Sequence, residues 1–398
     1  MDSHVRELLD LVIRWVHVIA GIMWIGNSML FNWLDRNLVK RDGAGEGHEG
    51  EIWMVHSGGF YQVEKKQLAP SELPAALHWF KWQNGVTWLS GMFLLGVVYY
   101  LGGGSYLLDP SVSKIGYGTA VAVSLGAVVL SWVLYDLVWK ALGPRAPIVA
   151  SVISLAWVVA ISFALGQLLS GRAAFLHVGV VLGTIMTGNV WMVILPSQRE
   201  LIAQTKSGQR QATDLAKRAK QRSIHNNYMT FPLLFIMVSN HYPSTYTSSH
   251  AWLTLAVIAA TGAGVRYLMN IRFWFARWVP VLSTIVASGL VALFFLTAPK
   301  RTASVRAADA PPVAFKTVQS VITQRCVGCH SQSPTDDVWK VAPAGLMLDT
   351  PAQIKAMAPR IKERVVITRN MPLANKTQIT DGERELLGDW IDQGARVE

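Results

Sequence analysis

Eight apolar stretches, each close to the length needed to cross a bilayer, constrain this chain more than any other feature. A helix crossing the hydrocarbon layer takes about 20 residues. Hydropathy places candidate spans near 11–33, 80–101, 117–139, 147–170, 174–196, 227–243, 251–270 and 279–298. Lipid offers no partner to backbone polar groups, so such spans are expected to be helical. The expected fold class is all-α, an eight-helix transmembrane bundle over residues 1–298. Composition agrees: 51% of the 398 residues are hydrophobic and only 15% are charged, against roughly 25% in soluble domains. Intrinsic disorder is excluded by the same figures. The first span runs too far, and lacks the basic start and small-residue end, for a cleaved signal peptide.

A net charge of +11 would suggest nucleic acid in a soluble protein, but its distribution says otherwise. Arg36, Lys40, Arg41, Lys65 and Lys66 follow the first span, and Arg199, Lys206, Arg210, Lys217, Arg218, Lys220 and Arg222 follow the fifth. Lys140, Arg145, Arg272 and Arg277 occupy the third and seventh connections, whereas the alternate loops hold little beyond Lys114 and Arg172. By the positive-inside rule the basic loops face the cytoplasm and both chain ends lie outside. The expected setting is a multi-pass protein of the bacterial inner membrane with periplasmic termini, partnered by the lipid bilayer and by no nucleic acid.

Residues 299–312 are polar and rich in Ala and Pro, as a linker would be, and 313–398 suit one small domain. Its chemistry is carried by Cys326-Val-Gly-Cys329-His330, the attachment signature of a c-type haem. Two thioethers would fasten the porphyrin and His330 would reach the iron. Cys326 and Cys329 are the only cysteines, too few for a four-ligand zinc site or a disulfide framework. The opposite iron ligand is expected to be Met or His. No histidine follows His330, which leaves Met347, Met357 or Met371. Met371, before Pro372 in an irregular stretch, is favoured, while Met357 falls in a helical pattern. Thr380 to Glu383 reads as a capping box opening a helix whose Leu386, Leu387, Trp390 and Ile391 form one stripe. That helix is expected to bury Trp390 with Phe315 of the helix before the haem motif. Haem c is attached outside the bacterial cytoplasm, in agreement with the loop charges.

Ionisable residues inside spans are functional candidates by default. His17 precedes Gly26-Asn27 in the first span and His177 precedes Gly188-Asn189 in the fifth; His78 and His225 precede the second and sixth. A four-plus-four duplication would explain the pairing. His17 and His177, each followed by small residues that admit a flat macrocycle, are candidate ligands of a b-type haem feeding the c haem. Arg14, one turn before His17, is placed to meet a propionate or to snorkel. Asn27 and Asn189 suit helix–helix hydrogen bonds. Most of the tryptophans fall near span ends and read as an interfacial belt. The long loop 35–78 contains an apolar run, Ile52 to Tyr61, expected to fold back as a hairpin or interfacial segment.

The chain resembles bacterial integral-membrane urate oxidases fused to a C-terminal cytochrome c. The resemblance is carried by Phe31-Asn-Trp-Leu-Asp-Arg36, His78-Trp-Phe-Lys-Trp-Gln-Asn84, Gly188 to Arg199, His225 to Pro232 and Ser239-Asn-His-Tyr-Pro243. It implies hydroxylation of urate to 5-hydroxyisourate, with electrons passed to the chain's own c haem and no hydrogen peroxide formed. A periplasmic cytochrome or a terminal oxidase would then take the electrons onward. A substrate site is expected in the cytoplasmic half, built from His78, Asn84, Arg36 and His225. A quinol or other small-molecule dehydrogenase, and a non-catalytic electron-transfer subunit, are the alternative readings.

Overall fold

The computed structural model describes residues 3–43, 45, 47–101, 104–209, 211–248, 250–298 and 312–397. The expected linker, 299–312, lies almost entirely outside them. Among the described residues three hydrophobic clusters are present, two within the long helices and one within residues 313–397.

The long helices are α1 (Ser3–Asn37), α2 (Trp82–Leu95), α3 (Tyr117–Ala141), α4 (Pro147–Leu168), α5 (Gly171–Gly188), α6 (Leu195–Lys206), α7 (Thr213–Val238), α8 (Ala251–Ile271) and α9 (Trp278–Thr297). A π-helical turn, Asn189–Ile194, joins α5 to α6, and another, Gly96–Tyr100, extends α2. Among the described residues six helices are long and apolar enough to cross a membrane: His4–Asn37, Tyr117–Ala141, Pro147–Leu168, Gly171–Lys206, Ala251–Ile271 and Trp278–Thr297. Their outward faces are apolar, with Trp15, Ile22, Ile148, Leu155, Leu290 and Phe294 each well exposed. So large an apolar surface suits immersion in lipid. The expected second and sixth spans are helical but differ in kind from these six. The second is α2 with its π-helical turn. The sixth is the later part of α7, whose first part carries Lys217, Arg218, Lys220 and Arg222.

In the loop between α1 and α2, β1 (His48–His56) pairs antiparallel with β2 (Gly59–Lys66). Its turn residues Ser57 and Gly58 both have positive φ, 50° and 79°, the backbone that matches hairpin twist. The apolar run is therefore a hairpin, a small departure from an all-α chain.

Close helix crossings depend on glycine. A Cβ on Gly188 would fall 2.7 Å from the Trp132 ring, and one on Gly85 2.9 Å from the Trp191 ring. Gly179 is filled by Ile236 and Met237 of α7 and Gly91 by the His17 ring, so these glycines admit neighbouring side chains.

The tail unit is built from α10 (Phe315–Arg325), α11 (Pro351–Ala356), α12 (Ala358–Ile361) and α13 (Asp381–Asp392). Thr380 accepts from the Glu383 backbone N–H while Glu383 accepts from that of Thr380, the expected capping box. Leu387 and Trp390 are buried, and the Trp390 ring lies 5.9 Å from that of Phe315.

Overpacking a tight site costs about 1–3 kcal/mol. Gly188→Ala is expected to lower thermal stability by that amount, measured in detergent. Gly26→Ala, where a Cβ meets nothing within 4 Å, should leave the midpoint unchanged.

Candidate functional site

The end of the bundle that carries the basic loops holds a cavity of about 640 Å³ between α1, α2 and the α5–α6 helix. The size suits a small ligand. Aromatic rings (Trp24, Phe31, Trp79, Phe80) and amides (Asn27, Asn32, Gln83, Gln198) line it, with His78 exposed at its side. Phe31 and Phe80 meet edge to face at 5.1 Å, joining α1 to the segment before α2. Gln83 Oε1 is buried and has no protein hydrogen-bond partner, so an N–H of a bound ligand would satisfy it. Lys81 lies over both Trp79 and Trp82, 5.7 and 5.6 Å from the ring centroids, and puts a cation beside the wall. The chemistry available is recognition of a flat, polar-edged molecule: faces for stacking, amides for its rim.

Only one of the expected substrate residues, His78, lines this cavity. Asn84 is buried on the far side of α2, where Nδ2 donates to Thr187 Oγ1 at 3.1 Å and Oδ1 accepts from Trp191 Nε1 at 2.9 Å. It ties α2 to the long helix and so positions the neighbouring Gln83. Arg36 lies over Trp274, 5.8 Å from the ring centroid. His225 belongs to a separate polar cluster: Nδ1 is 2.6 Å from Tyr135 Oη and the ring is 4.0 Å from that of Trp139. In the same cluster Arg222, 2% exposed, donates to Asp136 at 2.9 Å. Asn189 donates to Tyr135 Oη and to Asn226 Oδ1, the helix–helix role expected of it. Asn27 instead faces the cavity.

The two histidines considered for a membrane haem differ. His17 Nδ1 donates to the Thr87 carbonyl at 2.9 Å and sits 3.1 Å from Ser90 Oγ, leaving Nε2 without a protein partner. A histidine whose Nδ1–H is held by a carbonyl is oriented as a metal ligand. His177 has protein neighbours at both ring nitrogens. Its Nδ1 donates to the Ala173 carbonyl at 2.7 Å, its Nε2 is 3.3 Å from Tyr100 Oη, and the Tyr99 ring closes the side at 5.7 Å. Arg14 pairs with Asp10 one turn earlier on α1.

In the tail, the haem-motif residues fit the group they imply. His330 Nδ1 donates to the Leu346 carbonyl at 3.1 Å, leaving Nε2 for iron. Burial lowers the His330 pKa, favouring the neutral imidazole that ligates. Burial pushes the Cys326 thiol up to about 12 and the Cys329 thiol up to about 11, so both are uncharged. Cys326, Leu346, Met357 and Met371 border one apolar core. The Met371 backbone is clamped: its N–H donates to the Arg364 carbonyl at 3.1 Å, and its carbonyl accepts from Arg384 Nη1 at 2.8 Å. Arg384 also donates to the Val365 carbonyl; this buried arginine was not picked out in the sequence.

An apolar helical bundle with a cavity at its charged end is consistent with a membrane protein. Residues 3–298 match the family described as urate oxidase N-terminal, and the chain belongs to that family. Membership ties it to urate oxidation and to the oxidoreductases. The matched region leaves 299–398 outside it. No curated protein matches the chain, and no solved structure does.

Asn84→Leu leaves the Trp191 N–H and Thr187 hydroxyl unpaired inside the bundle, a loss of about 1–3 kcal/mol. It is expected to lower the thermal midpoint, whereas His78→Ala should not, as read by thermal denaturation of the two purified variants.

Proposed function

We propose that the chain hydroxylates urate to 5-hydroxyisourate at the cavity on the basic end and passes the electrons to a c-type haem in its tail. The single observation that carries the substrate assignment is the family match over 3–298. The cavity supports it: flat rings for the purine faces, amides for its carbonyl and N–H rim, and the unpaired Gln83 Oε1 for a urate N–H. Urate is an anion at neutral pH, and the basic loops raise its local concentration at that end.

Converting urate to 5-hydroxyisourate adds the oxygen of one water and releases two electrons, with protons leaving the substrate and the attacking water. His78, at the cavity, is placed to take a proton at an imidazole nitrogen, while Gln83 and the other amides fix the ring edge and the aromatic wall excludes bulk solvent. Cys326, Cys329, His330 and Met371 would hold a haem, which would supply one-electron acceptance. The two electrons would leave in two successive single-electron transfers, each passed onward to an external acceptor, so peroxide is not a product. His17 has the orientation to hold a second, b-type haem in the bundle; no step is assigned to it. In this reading 1–298 is a membrane domain with eight spans, 299–312 a linker and 313–398 a cytochrome c domain. Both ends face the periplasm, where a cytochrome or terminal oxidase takes the electrons onward.

Turnover without dioxygen, in water enriched with heavy oxygen and with an added one-electron acceptor, tests the chemistry. The expected product carries the label and no peroxide accumulates. A strict need for dioxygen with peroxide formed contradicts it. Gln83→Leu is expected to lower kcat/KM for urate by about tenfold or more, the cost of removing a hydrogen bond that the site was built to make. An unchanged value would move the substrate elsewhere.

A further inference from the structure

The tail unit rests on the end of the bundle that is poor in lysine and arginine, and the contact is aromatic. Trp339, in the loop following the haem motif, meets Tyr106 of the loop after α2 edge to face, with ring centroids 6.2 Å apart at 73°. Arg6 of α1 lies over the same indole at 6.0 Å. Arg172, at the start of α5, lies over the other participant, Tyr106, at 4.7 Å. Tyr106 then meets Tyr99 at 6.1 Å, and Tyr99 meets His177 at 5.7 Å. A succession of rings thus leads from the fully buried His177, through Tyr99 and Tyr106, to Trp339.

The far end of this succession is tied to the haem motif by backbone hydrogen bonds. The Gly328 carbonyl, between the two cysteines, accepts from the N–H groups of Thr335 and Asp336. The Asp336 carboxylate accepts from the N–H groups of Val338 and Trp339 at 2.8 and 3.0 Å. Lys376 Nζ pairs with the same carboxylate at 2.7 Å. The loop that carries Trp339 is therefore braced against the Cys326–His330 turn. A cavity of about 790 Å³ separates the tail from the bundle beside this contact, with Met371 and Arg384 on one wall and Tyr106, Arg172 and Tyr246 on the other.

We propose that Trp339 docks the tail on the bundle and that Tyr99, Tyr106 and Trp339 form the electron exit from the bundle to the c haem. Tunnelling weakens steeply with the width of any gap, so rings in contact across a domain boundary carry an electron where a cavity beside them does not. An electron released by urate would pass along the rings to a haem held by Cys326, Cys329 and His330, which would be reduced by one electron. The rings serve as a bridge, so no bond breaks and no proton moves within them. Arg6 and Arg172 hold the faces of Trp339 and Tyr106 by cation–π contact, which fixes the edge-to-face geometry of the join. The inference rests on the proposed function for its donor and acceptor, but its docking half stands on contacts alone.

Two readouts on the full-length holoprotein test it. A benzophenone amino acid in place of Trp339 should photo-crosslink to the segment that contains Tyr106; crosslinks confined to the tail would overturn the docking, whatever the substrate. In rapid mixing, Trp339→Leu and Tyr106→Leu should slow urate-driven haem reduction by about tenfold, ~1.4 kcal/mol of barrier. Trp339→Phe, which keeps a ring at the join, should retain most of the rate. Haem content, midpoint potential and direct reduction by dithionite should stay as in the unsubstituted chain. Reduction of the Leu variants at the unsubstituted rate overturns the electron exit. Failure of urate to reduce the unsubstituted chain overturns the donor assignment instead, with the crosslink still deciding the docking.

Discussion

A polar side chain inside an apolar bundle must find its partner within the protein, on its own helix or on a neighbouring one, and the bonds between helices organise the long helices of the chain. Asn84 binds α2 to the long helix through Thr187 and Trp191. Trp88 reaches Thr184, Trp157 reaches Ser131 and Trp139 reaches Ser154. Arg266 donates to Asn227 across α8 and α7, and Arg222 to Asp136 across α7 and α3. The ends of this frame are left free to diverge. One becomes a cavity with amides on an aromatic wall, the other a platform for the tail.

The bundle's two π-helical turns each bear on a polar cluster. Asn189–Ile194 turns Asn189 toward Tyr135 and Asn226 while presenting Trp191 to Asn84. Gly96–Tyr100 brings two successive tyrosines to His177. Such turns are frequent at functional sites because they shift side-chain direction within an otherwise regular helix. Here they place one polar cluster near each end of the long helix, between the cavity and the tail.

Much of this was legible in the sequence. Apolar runs located the helices, because hydropathy and helix length are local properties. The apolar run in the first long loop marked a hairpin or an interfacial segment, and spacing alone marked the tail's capping box and the Phe315–Trp390 contact. What the sequence hid was pairing between distant helices. Trp88, Trp132, Trp139 and Trp191 lie near span ends and read as an interfacial belt, yet they face inward: indole N–H groups of three find acceptors, and Trp132 fills the space at Gly188. Asn84 and His225, expected in a substrate site, meet Thr187, Trp191 and Tyr135 rather than lining the cavity. Gln83, beside Asn84, lines the cavity instead. Trp339 gave no signal, since nothing local marks a residue that docks on another part of the chain.

Anaerobic addition of urate to the purified holoprotein, with the tail haem followed by absorbance, tests most directly that urate oxidation and the tail haem form one electron circuit. Development of the reduced c-type spectrum in proportion to added urate is the predicted result. A haem that stays oxidised at every urate concentration, yet is reduced at once by dithionite, would contradict it.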